Sequence, residues 1–148
     1  MRQDKGEPFT STTKSRGAIM AWVQLITLLS LIQFIGFGFL VAKARGTYGI
    51  KAPATTGHEI FERYYRVHMN TLETLVVFVP ALWMAAQYWS PYWVAALGAV
   101  YLIGRIVYLR GYVADPKGRS AGYALSFLPV IGLVLAGAVG VVRGLLLS

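Results

Sequence analysis

Four runs of apolar residues, each about 20 long, restrict this chain more than any other feature. They extend from about Ala21 to Ala42, from a charged stretch near His58 to Trp89, from Pro91 to Val113, and from about Tyr123 to Leu147. A hydrocarbon core ~30 Å thick takes about 20 helical residues to cross. A segment in lipid must also satisfy every backbone N–H and C=O within itself, which helix does and an open strand does not. All four runs are therefore predicted to be helices, and the chain an all-α, integral membrane four-helix bundle. Composition agrees, with 56% hydrophobic and 14% charged residues, where a soluble domain carries about 25% charged. The first run is too long for a signal-peptide core and lacks a small-residue cleavage site, so it reads as a retained span. Residues 1–19 are polar and without hydrophobic period. They read as a disordered tail, with Met20 an alternative start, ahead of a membrane domain over 20–148.

The connections set the orientation. Residues 46–57 (GTYGIKAPATTG) and 114–122 (ADPKGRSAG) are Gly- and Pro-punctuated loops, whereas helices II and III meet in a tight turn at Ser90-Pro91. Pro91 suits the first position of a helix, where its missing N–H costs nothing. Four spans place the two longer loops on one side and both termini on the other. Lys43, Arg45, Lys51, Arg110, Lys117 and Arg119 lie on or next to the loop side, against Arg143 near the C-terminus. The positive-inside rule then puts both loops in the cytoplasm, with Arg2, Lys5, Lys14 and Arg16 of the tail pulling the other way.

The net charge of +8 does not point to nucleic acid, because the basic residues are scattered among apolar runs. There is no cysteine, so the chain has no disulfide and no thiol nucleophile of its own. Two histidines without cysteine give no metal-ligand spacing.

Charge inside a span is expensive and marks function by default. On helix II, Glu59, Glu62, Arg63, Arg66, Asn70 and Glu73 fall within an arc of roughly 100°. On helix III, Tyr101, Arg105, Tyr108 and Tyr112 fall within about 60°. Lipid would not tolerate either stripe, so the two are expected to face each other. The plain alternative is packing: Glu59–Arg63 and Glu62–Arg66 have the spacing of stabilising ion pairs, and Arg105 with Glu73 is the pair most suited to a structural role. As a binding surface, the stripes offer guanidinium groups for carboxylates, one amide, tyrosine hydroxyls, and Glu73 for an ammonium. A small zwitterion with carboxylates at its ends suits that set. No catalytic Ser-His-Asp pattern or phosphate loop is present. His68 points roughly 140° from Arg63, so it faces either a neighbouring subunit or an ordinary wet interface.

Two stretches carry a family resemblance: FERYYRVHMNTLE (Phe61 to Glu73) and GRIVYLRGYVADPKGRSAG (Gly104 to Gly122). They resemble the signatures of the MAPEG family, membrane-associated proteins in eicosanoid and glutathione metabolism. The His68 to Glu73 run is more similar to the third microsomal glutathione transferase type than to leukotriene C4 synthase. The resemblance implies a homotrimer of four-helix subunits with glutathione, as co-substrate, held between neighbours. By position it implies that Arg66, Asn70, Glu73, Tyr108 and Tyr112 bind glutathione within one subunit, and Arg105 matches an arginine inside helix III. Arg45 and His68 match residues given by the adjacent subunit. Arg119 matches the arginine held to stabilise the glutathione thiolate, with Tyr112 the tyrosine best placed to assist. Thr74 and Gly46 stand where the leukotriene synthase has a tyrosine and a second arginine, and both point away from leukotriene synthesis.

These features imply a glutathione transferase or peroxidase acting on a lipophilic electrophile or a lipid hydroperoxide. The alternative is a non-catalytic lipid-binding or scaffold protein of the same fold. Arg119 has its own plain reading, a side chain reaching toward lipid headgroups. Gly140 and Gly144 form a GxxxG pattern that suggests close helix packing, and Trp83, Trp89 and Trp93 read as interface anchors.

Overall fold

The computed structural model describes residues 9–147. It contains four long helices: α1 (Phe9–Thr47), α2 (Glu59–Tyr88), α3 (Pro91–Ala114) and α4 (Arg119–Leu147). A single 3-10 turn, Pro116–Gly118, joins α3 to α4. Each helix contains a stretch long and apolar enough to cross a bilayer, that of α1 being Met20–Thr47. Helix is present from Phe9 onward, so the segment 9–19 differs from the unstructured tail expected there. Extending an existing helix costs far less than nucleating one, and residues 9–19 contain no proline to stop it. Residues 1–8 lie outside the described residues.

Local chemistry sets the helix ends. At the start of α2, His58 Nδ1 accepts from the Ile60 N–H at 3.2 Å. Glu59 and Glu62 lie in that first turn, where the helix dipole favours negative charge. The Glu62 carboxylate turns back to accept from the Gly57 N–H at 2.9 Å, so it does not form the anticipated pair with Arg66. Gly57 has φ of +132°, a conformation side chains disfavour. Asp115 ends α3 and accepts from the Lys117 N–H at 3.0 Å. That cap closes the 3-10 turn at once, so α4 begins at Arg119, one turn earlier than its apolar pattern suggests.

The tightest packing joins α3 to α4. A Cβ at Gly104 would lie 2.5 Å from the Ser126 backbone nitrogen, and one at Gly122 would lie 2.3 Å from that of Tyr108. The GxxxG pair packs α4 against α2. Gly140 and Gly144 seat the ring of Tyr88, with a Cβ at Gly140 only 2.4 Å from the ring. The core is built from Val23, Ile26, Phe78, Leu82, Ala85, Tyr101 and Leu133. Outward-facing Ile32, Phe39, Val76, Leu128 and Leu135 remain exposed, which suits a hydrocarbon solvent. Two tryptophans also tie helices together: Trp83 donates to Thr27 Oγ1 at 3.0 Å and Trp89 to the Ala136 carbonyl at 2.8 Å.

Candidate functional site

The two polar stripes do face each other, and α4 closes the gap between them. Arg66 and Asn70 from α2, Tyr108 and Tyr112 from α3, and Arg119 and Tyr123 from α4 line one cavity of about 380 Å³. A second cavity of about 470 Å³ shares Arg66 and Tyr112 and adds Glu62, Met69 and Glu73. Thr55, Thr56 and Pro116 also border it, so both cavities lie at the end of the bundle that carries the long loops. The tyrosines form a connected wall, Tyr108 standing 5.6 Å from Tyr112 and 6.5 Å from Tyr123 between ring centroids. Chemically the first cavity offers two guanidinium groups, one amide and three phenols. That is a surface for anionic and carbonyl oxygens, with a carboxylate close by.

Arg105 lies beneath this surface rather than on it. It is 0% exposed and donates to Thr71 Oγ1 at 2.6 Å, Asn70 Oδ1 at 3.3 Å, the Val67 carbonyl at 3.4 Å and Ser126 Oγ at 3.5 Å. The expected pairing with Glu73 is absent. Glu73 lies one turn further along α2, exposed, and accepts from Asn70 Nδ2 at 3.3 Å. The other anticipated ion pair, Arg63 with Glu59, does form. Arg63 also donates to the Val113 and Ala114 carbonyls at 2.9 and 3.1 Å, where the end of α3 leaves acceptors free. Its position in the polar arc thus reflects a helix-end clasp.

Arg45 and His68 do not enter either cavity. Arg45 donates to the Ile50 and Ala54 carbonyls, at 3.4 and 2.9 Å, and lies 4.8 Å over the Phe61 ring. With Gly38, Gly46 and Lys51 it borders a separate opening of about 600 Å³. His68 stacks on Phe34 of α1 at 4.3 Å and 14°, beside Gly38, where a Cβ would lie 3.4 Å from its Nε2. It points away from the polar stripe, as helical spacing implies, but onto α1 of its own chain. Within one chain these two residues lie on a different face from the cluster around Arg119.

The match to known proteins covers the bundle that builds this cluster. A family model described as the MAPEG family matches residues 19–139. This chain belongs to the MAPEG family. With four candidate spans it is an integral, multi-pass membrane protein. A protein of uncharacterized function from Synechocystis is 44% identical over 121 residues, covering 79% of this chain and 88% of its own. Human microsomal glutathione S-transferase 2 is 37% identical over 121 residues, covering 82% of each chain. Bovine leukotriene C4 synthase is 32% identical over 121 residues, covering 82% of this chain and 81% of its own. The transferase named here is of the second microsomal type, where the His68 to Glu73 run suggested the third.

Reading the MAPEG motifs alone misses Tyr123. It stands four residues after Arg119, one helical turn along the same face of α4, and that spacing was the available signal. Thr71 and Ser126, which hold Arg105, were not singled out by the sequence either. Thr71 stands inside the Phe61 to Glu73 stretch and Ser126 is a lone hydroxyl in an apolar run, and only the tertiary arrangement shows what each accepts from.

Proposed function

We propose that this protein is a glutathione-dependent membrane enzyme, a transferase, a peroxidase or both, acting on lipophilic electrophiles or lipid hydroperoxides. One observation carries the reading: Arg66, Asn70, Tyr108, Tyr112 and Arg119 come from three helices and converge on one cavity, with Glu73 at its edge. The names of the relatives supply the ligand class. In this reading Arg66 and Asn70 hold carboxylate and carbonyl oxygens of glutathione, Glu73 takes its ammonium, and the tyrosines orient the peptide.

Arg119 is the residue assigned to the sulfur. A free thiol has a pKa of about 8.5, so little is ionised at neutral pH. Lowering it by ~2 units takes roughly 2.7 kcal/mol of differential stabilisation, a scale that cationic surroundings reach for protein thiols. Arg119 also opens α4, and the positive end of the helix dipole adds to the same field. The thiolate then attacks an electrophilic carbon, forming a carbon–sulfur bond as the leaving group departs. With a hydroperoxide, it attacks the outer oxygen and releases the lipid alcohol. The resulting sulfenic acid condenses with a second glutathione to give disulfide and water.

The half-buried position of Arg45 and His68 on another face fits a homotrimer in which each subunit completes its neighbour's site. The basic loops are assigned to the cytoplasm, where glutathione would enter from water while the lipophile arrives through the bilayer.

The deciding experiment assays purified protein toward an aryl halide and a lipid hydroperoxide, each with and without glutathione. Turnover that requires glutathione supports the reading. Binding of glutathione without turnover toward either would make the chain a scaffold, and no binding at all would remove the assignment.

A further inference from the structure

A guanidinium buried in a membrane bundle is costly, and Arg105 has no carboxylate partner among the described residues. Its surroundings are nevertheless specific. Thr71 spends its hydroxyl proton on the Val67 carbonyl at 2.7 Å, and Ser126 spends its own on the Gly122 carbonyl at 2.9 Å. Both hydroxyl oxygens are left as acceptors for Arg105. The guanidinium carbon lies 4.4 Å over the ring of Tyr108. One buried side chain thus braces two residues that line the cavity, Asn70 and Tyr108.

The consequence lies in the Asn70 amide, which has a donor end and an acceptor end. A guanidinium can only donate, so the Asn70 atom facing Arg105 must be Oδ1. An ionised carboxylate can only accept, so the atom facing Glu73 must be Nδ2. Both neighbours select one orientation. Flipping the amide would set donor against donor and acceptor against acceptor. Nδ2 has a second hydrogen, and Asn70 lines the cavity.

We infer that Arg105 is a positioning residue that locks the Asn70 amide with its donor toward the cavity. The ligand therefore presents a carboxylate or carbonyl oxygen at Asn70, and Glu73 is held ready for its cationic group. Arg105 itself does not touch the ligand. The inference rests on the proposed glutathione site and states how that site selects for the polarity of its ligand.

Asn70→Asp tests the orientation with little change in shape. Glutathione affinity should fall about 10- to 100-fold, the effect of losing a hydrogen bond to a charged group, while the protein stays folded because Arg105 keeps an acceptor. Undiminished affinity would mean that an acceptor faces the ligand, and would overturn the inference. Arg105→Gln should raise the KM for glutathione far more than it lowers kcat. It should add far less in an Asn70→Ala background than in the wild type, because most of its effect passes through that amide and only the remainder through Tyr108. Losses that multiply across the two positions would make Arg105 an independent packing residue. If Arg105→Gln fails to fold, Asn70→Asp still decides the matter. Wild-type protein that binds no glutathione would defeat the functional reading itself, a different outcome from wild-type binding that Asn70→Asp leaves unchanged.

Discussion

Gly122 of α4 lies against the backbone of Tyr108 in α3, so close that a Cβ at 122 would sit 2.3 Å from the Tyr108 nitrogen and 2.4 Å from its Cα. Three residues before Gly122 comes Arg119, and the Tyr108 ring lines the same cavity as Arg119. The approach of these two backbones sets the width of the site. Gly122→Ala should force the helices apart, cost about 1–3 kcal/mol and lower activity as well. Thermal unfolding in detergent together with an activity assay would check this. An unchanged melting temperature would show that the helices separate without cost.

Arg119→Ala should reduce turnover by ~10²–10³, the scale of removing one preorganised donor, while glutathione binding weakens much less. The absorbance of bound thiolate should fall and the pH–rate profile should move up toward the free thiol value of about 8.5. Arg119→Lys should recover part of the activity, since a point charge cannot reproduce a planar fork. Unchanged turnover and absorbance in Arg119→Ala would leave this arginine as a headgroup anchor.

Arg66→Ala should act differently, raising the KM for glutathione with little change in kcat. It removes a contact made equally in the ground and transition states. A kcat loss as large as that of Arg119→Ala would show that both arginines address the sulfur.

Assembly can be read by complementation. If Arg45 and His68 serve a neighbour, mixing an inactive Arg119→Ala chain with an inactive Arg45→Ala chain should restore part of the activity. Native mass spectrometry should show three subunits. A fully active monomer would rule out the shared site.

The orientation of the spans is checked by single cysteines placed at Lys51, Ser90 and Lys117 of the cysteine-free chain. An impermeant maleimide should reach positions 51 and 117 from the cytoplasmic side and position 90 from the other. Labelling of 51 and 90 from one side would be incompatible with four spans.

Much of the architecture was legible because membrane spans obey a simple rule of length and hydropathy. The turn at Ser90-Pro91 and the direction of His68 away from the polar stripe followed from proline chemistry and helical period. The polar arcs correctly brought Arg66, Asn70, Tyr108 and Tyr112 together. Periodicity did not show that Arg63, on the wall of the second cavity, also clasps the end of α3, or that Arg105 lies under the site instead of lining it. Arg63, Arg66 and Arg105 all stand in the polar arcs, and their fates depend on depth and on the acceptors of other helices. Glu73 and Arg105 were paired on charge alone, whereas Asn70 stands between them. The GxxxG signal at Gly140 and Gly144 does mark close packing, of α4 on Tyr88 of α2, but the closest backbone approaches fall at Gly104 and Gly122.

The connection from α3 to α4 leaves only residues 115–118 between the helices, all engaged in one capped turn. Tyr112 and Arg119 meet across that reversal, so each added residue would rotate one of them away by about 100°. The α1–α2 connection, residues 48–58, brings Thr55 and Thr56 to the rim of the second cavity and no residue to the cavity around Arg119. Length variation among natural relatives should therefore accumulate in the first connection and be purged from the second. The same asymmetry tells an engineer where a tag or a fluorescent insert belongs.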